Sequence, residues 1–133
     1  MRAYRYDHVH LRSPDPDATA QFFETMFGAE VTRSVYPPGT LYPGQQRITM
    51  RLGGQTVLIA PPHPHEPNST APSFPHYGLE HIGLTVENID AAVAELKGKG
   101  VAFTMEPKTI RPGVRIAFLT APQNVSIELI QRG

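Results

Sequence analysis

Short runs of alternating polar and apolar residues, interrupted by two amphipathic stretches, make up most of the chain, and the whole pattern occurs twice. In 6–12, Asp7, Val9 and Leu11 alternate with His8, His10 and Arg12, the two-residue period of a strand. SPDPD follows, with Asp15 placed to cap a helix and Pro16 suited to its first turn. Phe22, Phe23, Met26 and Phe27 give that helix one apolar stripe, and Gly28 predicts its end. Three strand-like runs come next, AEVTRSVY, QRITMRLG and QTVLIA, the last two joined by a Gly-Gly turn at 53–54. The second half runs in the same order. LEHIGLT predicts a strand, and Asn88 or Asp90 caps a helix with Ile89, Val93 and Leu96 as its stripe. Glu95 and Lys99 can pair one turn apart on the wet face, and Gly98 and Gly100 stop the helix. VAFTMEP, VRIAFLT and NVSIELIQ are strand-like, with APQN at 121–124 as the last turn.

The repetition is visible residue by residue. Setting YDHVHLRSPDPDATAQFF over LEHIGLTVENIDAAVAEL at a constant offset of 73 puts His8 on His81, Asp7 on Glu80, Leu11 on Leu84 and Asp17 on Asp90. Each half therefore predicts βαβββ: module 1 at about 4–60, module 2 at about 78–133, together one α+β domain of 1–133. Between them, 61–77 holds a cluster of prolines in PPHPHEPNSTAPSFP, which suits a stiff extended connector and neither a helix interior nor a central strand.

Composition narrows the function classes. Lys+Arg 12 balances Asp+Glu 12, so the basic excess that serves nucleic-acid binding is missing. No apolar run reaches the roughly 18 residues of a membrane span, and MRAYRYDHVH lacks an apolar signal core, so no membrane partner and a cytoplasmic location are expected. The absence of Cys removes thiolate catalysis, disulfides and Cys-type zinc sites.

Candidate chemistry lies in polar residues on otherwise apolar strands. His8 and His81 are equivalent positions of two first strands, and Glu128 alternates against Val125, Ile127 and Leu129 in the last one. Two imidazoles and a carboxylate suit Fe(II), Mn(II), Zn(II) or Ni(II) and leave coordination positions open. A single strand His is more often a hydrogen-bonded structural residue, and a single Glu is more often solvated; the matched positions are what set these three apart. His10 follows His8 on the same side and has the ordinary pKa of a catalytic base. Arg47 or Arg51 in QRITMRL, Arg115 in VRIAFL, and His76 and Tyr77 beside the connector are candidate substrate contacts. His63 and His65 form an HPH tract with no third ligand close by in sequence.

The doubled pattern, with YDHVHL and LEHIGLTVENIDAAVAELKGKG opening the halves and IAFLTAPQNVSIELIQ closing the second, resembles the vicinal oxygen chelate superfamily of glyoxalases, bleomycin-resistance proteins and extradiol dioxygenases. The resemblance implies cupped mixed sheets around a central metal cavity. It implies one divalent ion per site held by His8, His81 and Glu128, and a homodimer in which His8 serves its own chain or the other. The family's fourth ligand position falls in QTVLIAPP, at Leu58 or its neighbour Ile59, and neither can bind a metal. The implied activity is a glyoxalase-like lyase or isomerase on a small substrate that chelates through two adjacent oxygens. Its rivals are an Fe(II)-dependent extradiol-type dioxygenase on a catechol-like substrate and a non-catalytic, bleomycin-resistance-like binding protein.

Overall fold

Asp15 and Asn88 open the two helices of the chain. In the computed structural model, which describes residues 1–133, the Asp15 carboxylate accepts from the Ala18 N–H at 3.1 Å and starts helix α1 (Pro16–Phe27). Asn88, the nearer of the two expected caps, accepts from the Ala91 N–H at 3.0 Å and starts helix α2 (Ile89–Gly98). Each satisfies one of the N–H groups that a helix start leaves without an internal partner. At the end of α2, Gly100 donates to the Lys97 carbonyl and Val101 to that of Leu96, the paired bonds of a Schellman motif.

The eight strands are β1 (Val9–Arg12), β2 (Glu30–Val35), β3 (Gln46–Leu52), β4 (Gln55–Ala60), β5 (His81–Thr85), β6 (Phe103–Arg111), β7 (Val114–Thr120) and β8 (Ser126–Arg132). They form two four-stranded sheets of the same topology, β1-β4-β3-β2 and β5-β8-β7-β6. In each sheet the first strand pairs parallel with the last and the other pairings are antiparallel. The chain divides into two compact units, Met1–Ser69 and Thr70–Gly133, with the border inside the proline-rich segment. Each unit is one βαβββ module, so the fold is α+β with the module in tandem. No helix is long and apolar enough to cross a membrane.

In each unit the helix covers one face of its sheet. Phe23 and Ala20 of α1 bury against Ile48, Met50, Leu52, Val57 and Ile59. Ile89, Val93 and Leu96 of α2 bury with Ala117, Leu119, Ile127 and Leu129. The expected α1 stripe is narrower than its sequence suggests: Phe23 is fully buried, whereas Phe22, Met26 and Phe27 are only half-buried. The helix buries Pro16, Thr19 and Ala20 instead, and the Thr19 hydroxyl donates to Ser13 at 2.8 Å, so that buried polar pair is satisfied.

Two strand limits differ from the sequence reading. β1 starts at Val9, leaving His8 just ahead of the ladder. β6 runs past Pro107 to Arg111, with register shifts on either side of the proline's neighbourhood. It is an edge strand, where a residue without an N–H and the bulges beside it are tolerated. The last turns of the two units solve one problem with different residues. Gly53 and Gly54 adopt φ of 55° and 87°, and Gln123 and Asn124 adopt 62° and 58°. The left-handed backbone that glycine supplies freely in unit 1 is imposed on two side-chain-bearing residues in unit 2.

Candidate functional site

The strand registers give an internal test of which positions correspond. Val9 pairs with Val57 and His10 with Leu58; Ile82 pairs with Ile127 and Gly83 with Glu128. Leu58 is thus the equivalent of Glu128, and Ile59 is excluded because it faces the helix side with the buried core. A leucine stands in unit 1 where unit 2 has the carboxylate of Glu128.

In the second unit, His81 and Glu128 share the sheet face turned away from α2. His81 Nε2 lies 3.8 Å from Glu128 Oε1. Two donors each about 2.1 Å from one metal ion sit about 3.0–3.4 Å apart, so a small rotamer adjustment would let both bind it. The other ring nitrogen, Nδ1, lies 2.8 Å from the Glu80 carboxylate. A carboxylate there accepts the Nδ1 proton and leaves Nε2 with its lone pair directed at Glu128. Alternation along a strand would send Glu80 to the opposite face. It does not apply, because Glu80 precedes β5 and is free to turn back. Gly83 lies opposite Glu128, where a Cβ would meet Glu128 Oε1 at 3.4 Å, an ordinary van der Waals contact.

The first unit repeats half of this arrangement. His8 Nδ1 lies 2.6 Å from Asp7 Oδ2, the counterpart of Glu80, and its ring meets that of His10 edge-on at 6.1 Å. Burial first, then the neighbouring Arg12 and His8, lower the His10 pKa from its ordinary value, which favours the neutral ring. No group of three or more metal-ligating side chains is gathered in the chain. The structure brings His81 and Glu128 together and places His8 and His10 side by side in the other unit.

The expected substrate contacts fare differently. Arg115 lies on the α2 face, where its guanidinium bonds Asp90 through two nitrogens at 2.8 and 3.2 Å, opposite the face of Glu128. It shares that side with Ala117 and Leu119 by strand parity. Arg51 lies on the non-helical face of its sheet but turns onto its own hairpin, donating to Gly54 O and Thr56 Oγ1. His76 Nδ1 bonds the Tyr77 carbonyl at 2.8 Å, and the Tyr77 side chain is fully exposed. In the HPH tract, His63 Nδ1 accepts from the backbone N–H groups of His65 and Glu66, which makes it part of a local turn.

A cavity of about 580 Å³ opens within the second unit, lined by Ser73, Phe74, Thr104, Met105, Phe118, Thr120 and Asn124. The rings of Phe118 and Phe74 stand edge-on to His81 at 5.1 and 6.5 Å, so the cavity adjoins the His81–Glu128 pair. Of the connector residues, Ser73 and Phe74 line this cavity, and His76 and Tyr77 are not among its lining residues. Sequence reasoning missed Phe118; the signal available was parity, since Phe118 lies on the face of β7 opposite Arg115 and across from Glu128.

Comparison with known proteins agrees with this architecture. The sequence profile of the Glyoxalase/Bleomycin resistance protein/Dioxygenase superfamily matches residues 5–129. The chain belongs to that superfamily. It is 30% identical over 120 residues to the mitochondrial methylmalonyl-CoA epimerase of Homo sapiens, covering 86% of this chain and 65% of the epimerase. It is 29% identical over 154 aligned residues to the lactoylglutathione lyase of Schizosaccharomyces pombe, covering 99% and 49%. The chain thus spans between about half and two thirds of the length of these relatives. Among solved structures, the fosfomycin resistance protein FosX of Listeria monocytogenes, complexed with Mn(II) and sulfate, shares the fold with a TM-score of 0.69 at 17% identity, covering 99% of this chain and 93% of FosX.

Proposed function

We propose that the protein is a divalent-metal-dependent lyase or isomerase acting on a small substrate with oxygens on two adjacent atoms. The observation that carries this is the His81–Glu128 pair, 3.8 Å apart, with the remaining His81 nitrogen held by Glu80. A carboxylate behind a ligating histidine fixes its tautomer and raises its basicity, an arrangement that metal sites use repeatedly. His81 and Glu128 would hold the ion, and His8, backed by Asp7 in the same way, supplies the third donor in the assembled protein, which we read as a homodimer. When bound, an Fe, Ni, Zn or Mn ion would act as a Lewis acid toward charge developing on the substrate oxygens.

The chain's own contribution is to position and to move a proton. His10, whose neutral form is favoured first by burial and then by the neighbouring Arg12, offers a ring nitrogen to take the proton from the carbon next to a chelated oxygen. Phe74 and Phe118 set apolar rings edge-on beside His81, at 6.5 and 5.1 Å, and so position its imidazole. The relatives that act as an epimerase and as a lactoylglutathione lyase support proton-transfer chemistry for this chain.

One rival is favoured by a specific observation. With Leu58 in the equivalent position to Glu128, a three-donor His/His/Glu set and an aromatic cavity would also serve Fe(II)-dependent cleavage of a catechol-like ring by dioxygen. Incubating the metal-loaded protein with hydroxyacetone in D2O separates the two. The lyase or isomerase reading expects anaerobic exchange of the hydrogens on the oxygen-bearing carbon, followed by proton NMR and lost in His10→Gln. Oxygen uptake with catechol, and no exchange, would replace it by the dioxygenase.

A further inference from the structure

The seven side chains around the cavity carry no formal charge. Three of them, Phe74, Met105 and Phe118, are large and apolar, and they are set against one another. Phe74 and Phe118 are tilted ring to ring at 5.3 Å, and Met105 packs against the cluster that contains Phe118. Ser73, Thr104, Thr120 and Asn124 supply short neutral dipoles and no cation. The two arginines expected near substrate are both committed elsewhere: Arg115 to Asp90 across the sheet, and Arg51 to a turn of the other unit.

We propose that this cavity receives an uncharged aryl or similarly flat apolar arm of the substrate, while its two oxygens meet the His81–Glu128 pair. The orientation of the reacting end rests on the metal-site reading above; the identity of the arm rests on the cavity alone. A volume of about 580 Å³ lies within the usual range of small-molecule sites. Two aromatic rings and a thioether offer edge and face contacts to a third ring. An anionic arm, such as a phosphate or carboxylate, would lose hydration and find hydroxyl and amide dipoles but no cation in the lining. Phe74 thereby becomes a specificity-determining residue, although it belongs to the proline-rich connector and not to either sheet. It is 37% exposed, so truncating it removes a wall of the cavity without emptying the core.

The test titrates Mn(II)-loaded protein by calorimetry with acetohydroxamate, benzohydroxamate and 4-carboxybenzohydroxamate. The three share one chelating group and differ in the arm. Benzohydroxamate should bind about tenfold to a hundredfold tighter than acetohydroxamate, the worth of burying a ring of that size. Phe74→Ala should remove most of that preference, and the carboxylate should cancel it. Thr120→Lys, at an exposed rim position, should restore binding of the carboxylated compound. Equal binding of the acetyl and phenyl compounds, or tighter binding of the carboxylated one to the wild type, would overturn the proposal. If the protein takes no Mn(II), the metal reading fails and the cavity is judged separately, with benzyl alcohol added to metal-free protein carrying 13C-methyl methionine. A shift of the Met105 methyl that Phe74→Ala abolishes supports the aryl site; an unmoved Met105 signal overturns it.

Discussion

Asp7 and Glu80 occupy equivalent places immediately ahead of His8 and His81, and each carboxylate reaches the Nδ1 of the histidine that follows it. The sequence comparison aligned these acids and gave them no role, since period-two reasoning sends neighbours to opposite faces. That rule holds only inside a ladder, and both acids lie outside one. Glu80→Gln keeps the size of the side chain and removes its charge. It is expected to weaken metal binding about tenfold to a hundredfold with little change in folding stability, measured by titration calorimetry and urea denaturation. A loss of stability with unchanged affinity would make Glu80 a structural residue only.

At the scale of elements, caps and turns were the most legible features, because their chemistry is short-ranged. Asp15, Asn88, Gly28 and Gly100 could be placed from a few neighbouring residues each. Arg115 shows where such reading stops. It was expected to contact substrate, but it lies on the α2 side of β7, and the partner it finds there, Asp90 in the first turn of α2, is 25 residues away. The guanidinium holds the Asp90 carboxyl below the usual carboxylate range, first by hydrogen bonding. A depressed pKa contributes stability above the unfolded-state value, and that contribution is lost as pH falls through the folded-state value. Arg115→Gln should therefore be less stable than wild type at about pH 7, and the difference should narrow in acid as pH falls through the lowered folded-state value of Asp90. Denaturant midpoints at neutral and acid pH check this; a gap that persists in acid would assign the effect to packing of the arginine stem.

For the molecule as a whole, the doubled βαβββ plan was readable because the halves kept matching residues at a fixed spacing, from Asp7 and Glu80 to Asp17 and Asp90. Leu58 could be matched to Glu128 to within one residue, and the register decided between it and Ile59. The cavity was not readable. Its walls come from β6, from β7 and from a connector that has no periodicity to say where Phe74 would settle. The contact between His81 and Glu128 was not readable either, since a repeat shows which positions are equivalent and not which side chains meet. The central claim is that His8, His81 and Glu128 hold one catalytic divalent ion. Metal content per chain, measured by mass spectrometry on anaerobically purified wild type and Glu128→Ala, tests it most directly. The expected result is close to one divalent ion per chain in the wild type and its loss in the variant. A wild type that binds none, even after Fe, Ni, Zn and Mn are supplied, would contradict the claim and leave the protein as a small-molecule binder.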